Sequence, residues 1–219
     1  MDEPRVKTEY AKFVNKVVKG NVYEYDMKAA NINILYHVMQ RIPYDKYVEL
    51  SFADKDTRVT EIGCMQRDNP GLGEEMATQT DRIVQEFLRA NEIPEENIID
   101  VVHDAIWLKD ISCNITMVEG CTFRIKRRYD LLVIVHMKRQ PWSLYIDLEN
   151  NVIDYRHVPK VYIELLNTNN IMFILLALYY KNDNVTLFQQ AQEYMRYLKQ
   201  YKHDKILMFM QRLMDLLEV

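Results

Sequence analysis

Two aspartates stand where acids can do phosphoryl chemistry. Asp26 closes the segment Val22-Tyr23-Glu24-Tyr25-Asp26, whose aromatic and branched residues predict a strand, and a helix is expected directly after it. Asp104 follows Ile98-Ile99-Asp100-Val101-Val102-His103 and precedes Ala105-Ile106-Trp107-Leu108, which reads as a strand, a tight acidic turn and a return strand. Two carboxylates on adjacent central strands can hold two Mg2+ ions about 4 Å apart, one activating a 3′ hydroxyl and the other stabilising a leaving pyrophosphate. The ligands on offer are oxygens, and no softer set competes for another metal. Each acid also has a plainer role open to it. Asp26 can cap the helix that follows, and Asp104 can serve its turn. His103 reads either as a catalytic group or as a hydrogen-bonded turn histidine. His37, His136, His157 and His203 have no partner at ligand spacing.

The cations come next. Lys28, two residues past Asp26, is placed to meet a phosphate or to be a solvated helix residue. Arg67, in the polar stretch 66–69, is placed to lie over triphosphate oxygens or to belong to a surface loop. Arg124, Lys126, Arg127 and Arg128, with Lys138 and Arg139 nearby, form the strongest basic cluster. A phosphate-backbone track and a solvated strand edge are both open to them. Ser-His-Asp, Cys-His and glycine-rich phosphate-loop signatures are absent.

The elements that must position these residues follow from periodicity. Residues 5–19 suggest a short helix through Val14, Val17 and Val18, stopped by Gly20. After Asp26, Ala29, Ile32, Leu35, Tyr36 and Met39 share a helical face, and Pro43 ends it. Tyr47-Val48-Glu49-Leu50 fits a helix turn or a short strand, and Asn69-Pro70-Gly71 fits a turn. Residues 74–92 predict an amphipathic helix with Met76, Thr80, Ile83, Val84, Phe87 and Leu88 inward. Strands are expected over 121–128, 130–137 and 142–148, the first two pairing as a hairpin and the last turning at 149–151 into 152–155. From Val161 onward the pattern is helical, broken at 181–184. The apolar run 171–178 should be buried, and Leu165, Ile174, Leu178, Leu187 and Leu198 should pack on the sheet. Later stripes are Leu187, Ala191, Met195 and Leu198, then Ile206, Met210, Leu213 and Leu217. The chain therefore divides into a mixed α/β region, 1–158, and a helical C-terminal region, 159–219.

With 219 residues and 48% hydrophobic content, the chain can bury a core and is not disordered. The net charge of −4 rules out a global basic field, so any nucleic-acid contact needs a local patch. Cys64, Cys113 and Cys121 form no zinc pattern and read as free thiols of a reducing compartment. The charged start lacks a signal peptide's apolar stretch, and the most apolar run is too short for a membrane span. A cytoplasmic protein with no membrane role is expected, in the host cytoplasm if viral.

The two acid segments together resemble the palm of template-directed nucleic-acid polymerases. Asp26, followed by Ile32, Ile34 and Leu35, resembles motif A, a metal-binding aspartate at a strand end before an apolar helix. Val101-Val102-His103-Asp104 resembles the His-Asp motif C of bacterial-repair-type DNA polymerases and single-subunit RNA polymerases. The resemblance covers roughly residues 22–110, and the sequence also has the flavour of a bacteriophage-encoded protein. It departs from the pattern in three ways. Ala105 stands where many relatives carry a third acid, no Lys-x-x-x-Phe/Tyr-Gly fingers signature occurs, and little chain separates the motifs.

The resemblance implies an α+β fold with an antiparallel palm-like sheet, helices on one face and a helical C-terminal region. It implies Mg2+ on Asp26 and Asp104, and a nucleoside triphosphate and nucleic acid as ligands, with Lys28, Arg67 and His103 as possible nucleotide contacts. Arg124, Lys126, Arg127 and Arg128 would bind the nucleic acid. The alternative is a non-catalytic viral protein that binds nucleic acid or a host or phage protein on a degenerate palm. A nuclease would need further acids, from among Asp100, Asp110, Asp130 and Asp147.

Overall fold

The computed structural model describes residues 15–138, 141–166, 168–180, 189, 192–193, 196 and 204–216. The fold is mixed α/β on a seven-stranded antiparallel sheet, as the strand and helix patterns predict. Strands hydrogen-bond in the order β2-β3-β1-β5-β6-β7, and β4 pairs with β5. The chain divides into two compact units, 23–128 and 1–22 with 129–219. Strands β1 (Lys16–Met27) and β5 (Cys121–Val135) are long enough to contribute to both.

Unit 23–128 holds the end of β1, then α1 (Ala30–Asn33), a π-helical turn (Ile34–Val38), α2 (Tyr44–Phe52), α3 (Lys55–Asp68) and α4 (Leu72–Ala90). Strands β2 (Ile98–Val102) and β3 (Ala105–Lys109) form a hairpin, and the short β4 (Met117–Val118) leads into β5. Strand β3 returns between β2 and β1, so the helices complete a split β-α-β arrangement. Alternation along β1 decides the rest. Tyr25 and Met27 point into the core with Ile106, Leu108 and Phe123, and α4 covers them with Met76, Ile83, Val84, Phe87 and Leu88. Phe87 stacks on Phe123 with ring centroids 4.0 Å apart. Glu24 and Asp26, one residue out of phase, point to the opposite face.

In the other unit, β5 continues into a sheet with β6 (Trp142–Asp147) and β7 (Val152–Arg156). Their registers run from Leu131↔Ile146 to Val135↔Trp142 and from Ser143↔Arg156 to Asp147↔Val152. Helices α5 (Lys160–Leu165), α6 (Thr168–Tyr180) and α7 (Asp204–Asp215) supply the other half of its core. Ile171, Met172, Ile174, Leu175 and Leu178 are buried, as the apolar run predicts, and Leu165 is partly so. Ile206, Met210 and Leu213 are also buried, whereas Leu187, Ala191, Met195, Leu198 and Leu217 lie outside the described residues.

Three element expectations need correction. The helix placed over 5–19 is a strand from Lys16 onward, because Val17, Val18 and Val22 favour a pleated surface. Gly20 does not end an element but lies within the strand at φ 110, a conformation open to glycine. Val14 lies outside the described residues. Strands 121–128 and 130–137 are one strand, since Arg128-Tyr129-Asp130 contains no turn-forming pair and the five exposed residues 124–128 continue the strand. The segment around Tyr47 takes the helical one of its two expected forms and needs no correction. Among the described residues no helix is long and apolar enough to cross a membrane.

Candidate active site

Asp26 reaches its place through the pairing of β1 with its two neighbours. The Met27 amide donates to the Asp104 carbonyl at 3.1 Å, and the Lys28 amide donates to the Thr122 carbonyl at 2.8 Å. The turn between β2 and β3 holds only His103 and Asp104, since Val102 pairs with Ala105. His103 adopts φ 54, a left-handed conformation that histidine tolerates better than most side chains. The turn chemistry thereby carries Asp104 to the end of β1, beside Asp26. Both residues line a cleft of about 660 Å³.

The electrostatics around them are opposed. Burial pushes the Asp26 carboxyl above the ordinary aspartate value, and the negative charge of Asp104 pushes it further. Lys126 and Arg124, on the adjacent β5, pull it down, and Glu24 raises it again. The cross-strand pairs are explicit. Arg124 Nη2 lies 3.7 Å from Asp26 Oδ2, and Lys126 Nζ donates to Glu24 Oε1 at 2.7 Å, with Glu24 only 5% exposed. A buried carboxylate needs such a partner.

Helices α3 and α4 also line the cleft. Lys55, Arg58, Val59, Ile62 and Gln66 recur on one face of α3, and all of them line the cleft. Asp54 begins this helix by accepting the Thr57 amide at 2.9 Å, which lets Lys55 start the first turn. Thr80 and Asp81 of α4 line it too. The cleft is therefore lined by three aspartates, Asp26, Asp81 and Asp104, and by four cations, Lys55, Arg58, Arg124 and Lys126.

Among the residues singled out in the sequence, Asp26, Asp104, His103, Arg124 and Lys126 meet at this cleft. Lys28 is exposed in the turn after β1 and does not line it. Arg67 is exposed in the last turn of α3, 3.4 Å from Asp68, and is likewise absent from the lining. Arg127 and Arg128 continue along β5 and are exposed, as are all residues from Arg124 to Arg128. These charges lie along one continuous strand. Lys138 belongs to the other unit, and Arg139 lies outside the described residues.

Lys55 and Arg58 are the lining cations that sequence reading misses. Their signal is the i, i+3, i+4, i+7 recurrence of Lys55, Arg58, Val59 and Ile62, which is faint because Val59 is exposed and the helix has little apolar contrast.

The donor set suits Mg2+ only in a particular way. Among the described residues no group of three or more His, Cys, Asp or Glu side chains is arranged to hold a metal. Two carboxylates are nevertheless what Mg2+ commonly takes from a protein, since it keeps several waters and draws its other ligands from substrate phosphates. The mutual repulsion of Asp26 and Asp104 is what a divalent cation would relieve. Other acids serve local structure. Asp100 accepts the Val101 amide at 2.9 Å, Asp130 the Leu148 amide at 2.8 Å, and Asp147 the Asn150 amide at 2.9 Å. Asp110 is exposed at φ 56 and does not line the cleft. Cys64, Cys113 and Cys121 are free thiols, and burial pushes that of Cys121 up to about 11.

Residues 5–208 match the family model described as Bacteriophage PBS1 gene 130 protein, and the chain belongs to that family. This agrees with the bacteriophage flavour of the sequence. No curated protein matches the chain.

Proposed function

We propose that this member of the bacteriophage PBS1 gene 130 protein family carries out template-directed nucleotidyl transfer on a minimal palm-like unit. The observation that carries the reading is the bond from the Met27 amide to the Asp104 carbonyl, which joins the end of β1 to the His103-Asp104 turn beside one cleft. The split β-α-β order adds support, because it inserts the acid-bearing hairpin next to the acid-bearing strand.

Asp26 and Asp104 are the residues that would hold Mg2+. When bound, the ions would activate the 3′ hydroxyl and stabilise the leaving pyrophosphate. Lys55 and Arg58, which line the same cleft as the carboxylates, would hold the triphosphate oxygens in place of Lys28 and Arg67. The 3′ oxygen would then bond to the α-phosphorus as the bond to the bridging oxygen breaks. His103, exposed in the cleft lining, would meet the nucleotide. Arg124, Lys126, Arg127 and Arg128 would run along the template-primer backbone, with Arg124 and Lys126 also restraining Asp26 and Glu24.

A second reading, a non-catalytic protein that binds nucleic acid or a host or phage protein on a degenerate palm, is favoured by two observations. Arg124 already neutralises Asp26 in part, and Ala105 supplies no third carboxylate. Primer extension with Mg2+, run beside a filter-binding assay, separates the two. Binding without extension would favour the second.

A further inference from the structure

The turn that leads out of β1 after Asp26 is closed by a circuit of contacts. The Lys28 amide donates to the Thr122 carbonyl, and the Asn33 side-chain amide donates to the Lys28 carbonyl at 2.7 Å. Asn33 is 7% exposed, so its side-chain amide is largely withdrawn from water, where losing a partner is costly. The Tyr47 hydroxyl donates to Asn33 Oδ1 at 3.1 Å and lies 3.3 Å from His37 Nε2. One hydroxyl proton serves one acceptor, so the His37 contact is a hydrogen bond only with the proton on Nε2.

The His37 ring in turn lies against Gly120, where a Cβ would fall 2.5 Å from the ring. Gly120, at φ 79, stands two positions before Thr122, and the circuit closes. Within the circuit Ala29 is held left-handed at φ 48, a strained state for a residue with a Cβ, which persists only where its surroundings over-determine it. His37 belongs to the π-helical turn, a distortion that recurs at functional sites.

We infer that Asn33 is a positioning residue which, by gripping the Lys28 carbonyl, fixes where Asp26 stands relative to Asp104. Its consequence for chemistry rests on the nucleotidyl-transfer reading; its consequence for the turn does not. Tyr47 and His37 hold Asn33 in the orientation that points its amide at the turn.

The test uses Asn33→Ala and the milder Tyr47→Phe in the full chain. Amide hydrogen exchange at Met27 and Lys28 should quicken about tenfold or more in Asn33→Ala, and less in Tyr47→Phe, while amides within α4 keep their rates. Binding of Mn2+ alone, followed by electron paramagnetic resonance, should weaken about 10- to 100-fold, the usual effect of removing a group that orients a metal ligand. Unchanged exchange at Met27 and Lys28 in both folded variants would overturn the inference. Faster exchange with unchanged Mn2+ affinity would overturn it too, leaving Asn33 a purely structural residue. Wild-type protein that binds no Mn2+ and extends no primer would remove the nucleotidyl-transfer reading instead. The exchange rates alone would then decide whether Asn33 fixes the turn.

Discussion

The main-chain amide of Met27 donates a 3.1 Å hydrogen bond to the carbonyl of Asp104. One backbone bond thus joins a strand end to a hairpin turn that lies far along the chain. It brings the carboxylates of Asp26 and Asp104 close enough for the charge of one to raise the proton affinity of the other.

That repulsion has a signed consequence for stability. The folded-state pKa of Asp26 lies above its ordinary value, first through burial and then through Asp104. Its contribution is therefore favourable below the unfolded-state pKa, near pH 4, and is lost as pH rises through the folded-state value. At pH 7 the ionised carboxylate is a net cost. Asp26→Asn should raise stability there by about 0.5–1 kcal/mol, the scale of a relieved charge conflict, and the gain should vanish near pH 4. Thermal melts at the two pH values check this; a lower Tm for Asp26→Asn at pH 7 would contradict it.

The basic strand should be read by salt. If Arg124, Lys126, Arg127 and Arg128 track a phosphate backbone, each contact releases condensed counterions. Changing all four to Ala should flatten the slope of log affinity against log salt by up to about four, roughly one per residue. The loss should be similar for any sequence, because phosphate contacts carry no base information. No binding of DNA or RNA at low salt would reduce the cluster to a solvated strand edge and bring a protein partner forward.

Lys55 and Arg58 offer a separate test. Hydrogen bonds to charged groups contribute about 1.5–3 kcal/mol, so Lys55→Ala or Arg58→Ala should raise the nucleotide KM about tenfold or more. Template-primer affinity should stay unchanged, which steady-state kinetics beside filter binding would establish. Equal losses in both would move these residues from the triphosphate to the nucleic-acid backbone.

The core makes the stiffest structural prediction. Phe87 is fully buried, stacks on Phe123 and meets Tyr25 at 5.6 Å. Phe87→Ala should cost about 3–5 kcal/mol in chemical denaturation, and a cost under about 1 kcal/mol would mean that α4 does not cover this face of the sheet.

Much of this arrangement is legible in the sequence where one periodicity dominates. The inward face of α4 and the β2-β3 hairpin follow from apolar spacing and from two turn residues between branched strands. The start of β1 is not legible, because Val17 and Val18 suit both a helix and a strand, and the long-range pairing of β1 with β5 decides between them. The basic run misleads for a similar reason. Five exposed residues in succession suggest a turn, whereas here they continue one strand. Within the site, Asp26 and Asp104 are legible from their places at strand ends. Lys55, Arg58 and Asn33 are not, since only the packing of α3 and the turn after β1 gives their side chains a target.

The most direct measurement is primer extension by the purified full chain with Mg2+ and nucleoside triphosphates, on DNA and RNA templates, beside filter binding. The account predicts that the wild-type protein adds nucleotides. It also predicts that Asp26→Asn and Asp104→Asn abolish addition while leaving nucleic-acid binding intact or slightly tighter, because each removes a negative charge from the cleft. Wild-type protein that binds nucleic acid but extends neither template, or an Asp26→Asn,Asp104→Asn variant that extends as well as wild type, would contradict it.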